Sequence, residues 1–84
     1  MHEIQVTVLF FAAARDAAHT DNTVISLQPA ATLADLRDSV LQQWPELRKF
    51  GPSLLWAVNA QYANPDLPLH DSDTVACFPP VSGG

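Results

Sequence analysis

An α+β fold is the expectation for this chain, a mixed sheet with one main helix packed on one face. Three observations predict it. Residues Glu3 to Phe11 alternate, with Ile4, Val6, Val8 and Phe10 on one side and Gln5, Thr7, Leu9 and Phe11 on the other, which is the period of a strand. Leu33, Leu36, Val40, Leu41 and Trp44 recur at helical spacing, so one helix face is apolar. Further strand-like runs lie on both sides of that helix, giving the order ββ, helix, ββ.

The elements follow in chain order. The second face of the first strand turns apolar at Leu9 and Phe11. Ala12 to Ala18 is alanine-rich and reads as a short helical turn. His19-Thr20-Asp21-Asn22 is turn chemistry. Thr23 to Leu27 is β-branched and reads as the hairpin partner of the first strand. Gln28-Pro29-Ala30-Ala31 breaks the pattern. Thr32 is then placed as a helix N-cap, with Asp35 in the capping-box position. Pro45 ends that helix near Trp44. Pro45 to Phe50 reads as a second short turn, closed by Gly51 and Pro52. A third strand is expected over Leu54 to Val58. Asn59 to Asp73 is expected to be mostly loop, since Pro65 and Pro68 forbid a central strand there. His70 to Asp73 forms a solvated turn in this reading, and Thr74 to Phe78 the last strand. Pro79-Pro80 cannot continue it, so the tail leaves the sheet extended. The chain therefore divides into a folded domain, 1–78, and a flexible tail, 79–84.

Composition narrows the function classes. Eighty-four residues make one domain, and an apolar fraction of 48% supports a packed core. The net charge is −5, with only Arg15, Arg37, Arg48 and Lys49 as cations. No basic cluster is available for phosphates, so neither nucleic acid nor an anionic membrane is an expected partner. No apolar run approaches the roughly 18 residues of a membrane span, and the first residues lack the features of a signal peptide. A single cysteine, Cys77, rules out an internal disulfide, which fits a cytoplasmic location.

Familiar catalytic sets are missing. His2, His19 and His70 are widely spaced, without the converging ligands a metal needs, so no metal site is expected. Asp71 and Asp73 alone fall short of a calcium loop. Cys77 lies in an apolar strand with no nearby lysine or histidine, and a buried inert thiol is expected. What remains is the tail, Phe78-Pro79-Pro80-Val81-Ser82-Gly83-Gly84. Glycines without Cβ atoms suit a narrow channel, and a terminal Gly84 carboxylate is the functional group such a tail would present.

The ending is similar to the F-P-P-V-[ST]-G-G terminus of the MoaD-type sulfur carriers, the small subunits of molybdopterin synthase. Val8-Leu9-Phe10-Phe11-Ala12 with Arg15 resembles that family's first strand and turn, and Ala57-Val58-Asn59 its central strand. Pro68-Leu69-His70-Asp71-Ser72-Asp73-Thr74-Val75-Ala76 resembles its P-L-x-D-G-D-x-V-A stretch. Two departures stand out. Ser72 replaces the usual glycine, and Cys77 sits where an aromatic is frequent.

The resemblance implies a ubiquitin-like β-grasp fold and a carrier rather than a catalyst. An activating enzyme uses ATP to adenylate Gly84, a sulfur donor converts the adenylate to a thiocarboxylate, and no cofactor stays bound. The tail then enters the large subunit, within a heterotetramer, where the catalytic groups lie and sulfur passes to a cyclic pyranopterin precursor. Val81, Ser82 and Gly83 would thread the channel. Phe78, Pro79, Pro80, Phe11, Leu9 and Arg15 would contact the partner. Alternation sets Phe78 opposite Cys77, which alone leaves open whether it packs in the core or faces a partner. Arg15 also reads as an ordinary solvated charge. Three other functions stay open: a sulfur carrier for thiazole synthesis or a ubiquitin-like protein modifier, which share the fold and the Gly-Gly end but typically lack Phe-Pro-Pro-Val before it, and a β-grasp interaction module whose glycines are incidental.

Overall fold

The computed structural model describes residues 2–80. Five strands form one sheet in the order β2-β1-β5-β3-β4. They are β1 (Ile4–Phe10), β2 (Asn22–Leu27), β3 (Leu55–Val58), β4 (Gln61–Tyr62) and β5 (Thr74–Phe78). β1 pairs antiparallel with β2 and parallel with β5. β3 pairs antiparallel with both β5 and β4. The sheet is therefore mixed, as the alternating strands around one helix require.

The main helix, α2 (Leu33–Gln43), starts where the sequence places it. The Asp35 amide donates to Thr32 Oγ1 at 3.3 Å, and the Thr32 amide donates to Asp35 Oδ2 at 2.9 Å. This reciprocal box satisfies two otherwise orphan donors. Leu33, Leu36 and Val40 are buried beneath it. Trp44 caps its end, its amide bonded to the Val40 carbonyl, and its ring meets Phe10 edge-on at 5.4 Å. Such an aromatic pair adds about 0.5–1.5 kcal/mol beyond burial.

The alanine run forms α1 (Ala12–Ala18), and Ala14, Ala17 and Ala18 are buried. Small side chains let this short helix lie close to the core. His19 ends it in the left-handed region. The core joins Val6, Val8, Phe10, Ile25, Leu36, Val40, Leu47, Val75 and Cys77, all sealed from water or nearly so.

Three local readings need correction. The turn expected over Pro45 to Phe50 runs on to Ser53 as 3₁₀ structure, broken only at Gly51, whose φ of 57° suits glycine. The stretch expected to be mostly loop also holds the two-residue β4. Asn59 and Ala60 both take positive φ, 50° and 71°, which is the geometry of a two-residue hairpin turn. Asp71 and Asp73 form more than a solvated turn. The Gln5 amide donates to Asp71 Oδ1 at 2.7 Å. Asp73 accepts from the His70 amide and from Asn59 Nδ2. These carboxylates fasten the loop before β5 to the start of β1 and to the β3–β4 turn.

Candidate functional site

The sheet has two faces, and only one is covered by helix. Val75 and Cys77 of β5 point to the covered face and are fully buried, while Ala76 and Phe78 alternate to the other and are half-buried. Register builds the open face row by row. Leu9, Ala76, Ala57 and Tyr62 stand side by side across β1, β5, β3 and β4. Phe78 is paired in register with Leu55. The Phe11 amide continues the β1–β5 ladder by donating to the Cys77 carbonyl at 3.1 Å, so alternation brings Phe11 to the same side, where it is 49% exposed.

Toward β5, β3 and β4 the face is apolar and uneven, while its β1–β2 end carries Gln5, Thr7, Asn22 and Ser26. Two alanines at the centre of the row make a low floor between Leu9 and Tyr62. Tyr62 is 72% exposed, and its ring lies 6.2 Å from that of Phe78. An open groove of about 280 Å³ continues round the β3–β4 edge, its lining including Leu33, Leu41, Leu55, Trp56 and Tyr62 together with the cationic Arg37. Large aromatics left open on one sheet face mark an interaction surface.

The structure therefore brings Leu9, Phe11 and Phe78 together on one face. Phe78 is outside the core cluster, which removes the core reading that alternation had left open. Pro79 is half-buried and Pro80 exposed, directly after β5. Val81, Ser82, Gly83 and Gly84 lie outside the described residues. Arg15 lies on α1, exposed, with Nε 3.8 Å from Asp21 Oδ1, the geometry of a weak surface pair. Tyr62 and Leu55 belong to the face and were missed. Leu55 falls within the strand expected over Leu54 to Val58, whereas nothing local marks Tyr62, whose two-residue strand is too short for a pattern.

Chemistry on the domain itself is sparse. Burial pushes the Cys77 thiol up to about 12, so it stays protonated at neutral pH and is a poor nucleophile. Among the described residues no group of three or more His, Cys, Asp or Glu side chains could hold a metal ion. Among them, too, no helix is long and apolar enough to cross a membrane.

The ThiS family profile matches residues 8–84. The chain belongs to the ThiS family. Over 82 residues it is 40% identical to the molybdopterin synthase sulfur carrier subunit of Escherichia coli K12, covering 94% of this chain and 99% of that one. Its fold matches a chain in the complex of subunits 1 and 2 of the molybdopterin-converting factor from Helicobacter pylori, with a TM-score of 0.69, 30% identity, and 96% and 100% of the two chains covered. It also matches the small archaeal modifier protein 1 of Methanosarcina acetivorans, with a TM-score of 0.81 at 26% identity over 100% of both chains. These likenesses and the mixed five-stranded sheet make the fold ubiquitin-like, of the β-grasp type.

Proposed function

We propose that this chain is the sulfur-carrying small subunit of a molybdopterin synthase, with Gly84 as the acyl carrier. The observation that supports it most is the likeness to the Escherichia coli carrier subunit along nearly the whole of both chains. The open face suits the same role. Phe78 seats the domain on the large subunit with Leu9, Phe11 and Tyr62 around it, Arg15 meets an acidic group of that subunit, and Pro79 and Pro80 direct the tail inward. Six residues, Pro79 to Gly84, reach at most about 20 Å when extended. The prolines limit the entropy lost on insertion.

The Gly84 carboxylate attacks the α-phosphate of ATP on an activating enzyme and releases pyrophosphate. Sulfide displaces AMP from the acyl adenylate and leaves a thiocarboxylate. The ionised sulfur is the nucleophile that the domain's own buried thiol cannot be. The sulfur bonds to a cyclic pyranopterin precursor on the large subunit, and water then cleaves the acyl–sulfur bond, which returns the Gly84 carboxylate.

The test is intact-mass analysis after incubation with activating enzyme, ATP and sulfide. The chain should gain the mass of one sulfur-for-oxygen exchange. A variant with one residue added after Gly84 should gain nothing while melting at the same temperature. Sulfur transfer by the extended variant would overturn the mechanism. The likeness to the archaeal modifier keeps protein conjugation as a second reading. Accumulation of lysine-linked conjugates in place of sulfur transfer to the pterin acceptor would favour it.

A further inference from the structure

β2 ends the sheet, with β1 on one side and no strand on the other among the described residues. The Phe10 amide donates to the Asp21 carbonyl, which fixes the parity of the antiparallel ladder. Thr23, Ile25 and Leu27 thus turn their backbone groups toward β1. Asn22, Val24 and Ser26 turn theirs outward. Of these, the Asn22 carbonyl also accepts from Thr20 Oγ1 at 3.0 Å, which leaves it a second lone pair.

Sheet edges are ordinarily blunted by charge, proline, bulges or a covering element. Asn22-Thr23-Val24-Ile25-Ser26-Leu27 has no charged residue and no proline, and its register with β1 runs without a bulge. Val24 is 56% exposed on the open side.

We infer that two copies of this chain associate by antiparallel pairing of β2 with β2 about a two-fold axis at Val24. The outward residues read polar, apolar, polar about Val24, so the edge is complementary to itself. Val24 would exchange two main-chain bonds with Val24 of the second copy, and Asn22 and Ser26 would exchange two more at each end. The axis sets Asp21 opposite Leu27 of the second copy, so no carboxylate meets a carboxylate within the paired stretch. That matters for a chain of net charge −5. A second copy is favoured over an unrelated strand because this symmetry comes from the edge itself. β2 lies at the opposite end of the sheet from β3 and β4, so pairing leaves Phe78 and Tyr62 open. The inference does not depend on sulfur carriage.

The test is sedimentation of the full chain from micromolar concentration up to about 1 mM, the range in which so small an interface associates. The apparent mass should rise toward twice that of the monomer. Val24→Lys, exposed and outside the core, should stay monomeric with an unchanged circular dichroism spectrum. Mixing Val24→Lys with Val24→Glu should restore association. The amides of Asn22, Val24 and Ser26 should gain exchange protection with concentration, while those of Thr23 and Ile25 stay as they are. A wild type that remains monomeric throughout, a Val24→Lys variant that associates like wild type, a charge-swapped mixture that fails to associate, or protection gained at another edge would each overturn the inference.

Discussion

The two faces of β5 differ although they are built from alternate residues of one short strand. Val75 and Cys77 are sealed against the helices, while Ala76 and Phe78 stand half open on the other side. A side chain on the first face carries folding energy because it leaves water whenever the chain folds. One on the second face has its remaining area still to bury, and that area is available to a partner. Position on the strand, more than residue type, separates the two roles. Phe10 and Phe78 show it well. Phe10 is 2% exposed within the core, whereas Phe78 lies outside it with its ring near Tyr62.

The sharpest way to break this division is Phe10→Ala. It should cost about 3–5 kcal/mol of folding stability through lost transfer energy and the cavity left beside Trp44. Urea denaturation would measure it. A loss below about 1 kcal/mol would show that the covered face does not hold the fold.

Cys77→Ala should cost about 1–2 kcal/mol at neutral pH, the loss of a small buried side chain, and leave thiocarboxylate formation intact. Its pH dependence sharpens the comparison. The native thiol titrates near 12 against an ordinary value of 9.0. Above pH 9 the unfolded chain loses this proton first, so ionisation favours unfolding. Wild-type stability should fall by about 1.4 kcal/mol per pH unit from this group alone. That fall begins above pH 9 and continues toward the native value, and the alanine variant should lack it. Denaturation midpoints for both proteins at neutral and alkaline pH would show the difference, and parallel curves would contradict the burial of Cys77.

The smallest expected effect is at Ser72, on the loop leading into β5. Its φ of 72° is left-handed, and its amide donates to the Gln5 carbonyl. Ser72→Gly should relieve strain and stabilise by about 0.5–1 kcal/mol, with docking unchanged.

Much of this arrangement was legible in the sequence, and the gaps have physical causes. Alternation gave β1, and the Thr32 box with the Leu33 to Val40 periodicity gave α2, because both are local signals. Pro79-Pro80 marked the strand exit for the same reason. β4 was not legible: two residues are too few for a pattern, and Ala60 in a left-handed turn position is not a turn signal. The roles of Asp71 and Asp73 were hidden because their partners Gln5 and Asn59 are distant in sequence. The pairing of Tyr62 with Phe78 depends on the same long-range register. Leu9, Phe11 and Phe78 were named from resemblance; alternation set Leu9 and Phe11 on one side, and the sheet order adds Phe78 to it.

The central claim is that the open face docks a partner while the covered face folds the domain. Phe78→Ala tests it most directly, with denaturation of the free protein run beside titration of the large subunit. Stability should fall by about 1–1.5 kcal/mol at most, since the ring is half-buried, and binding by about 2 kcal/mol or more. A stability loss of about 3–5 kcal/mol, with normal affinity for the protein that remains folded, would contradict it.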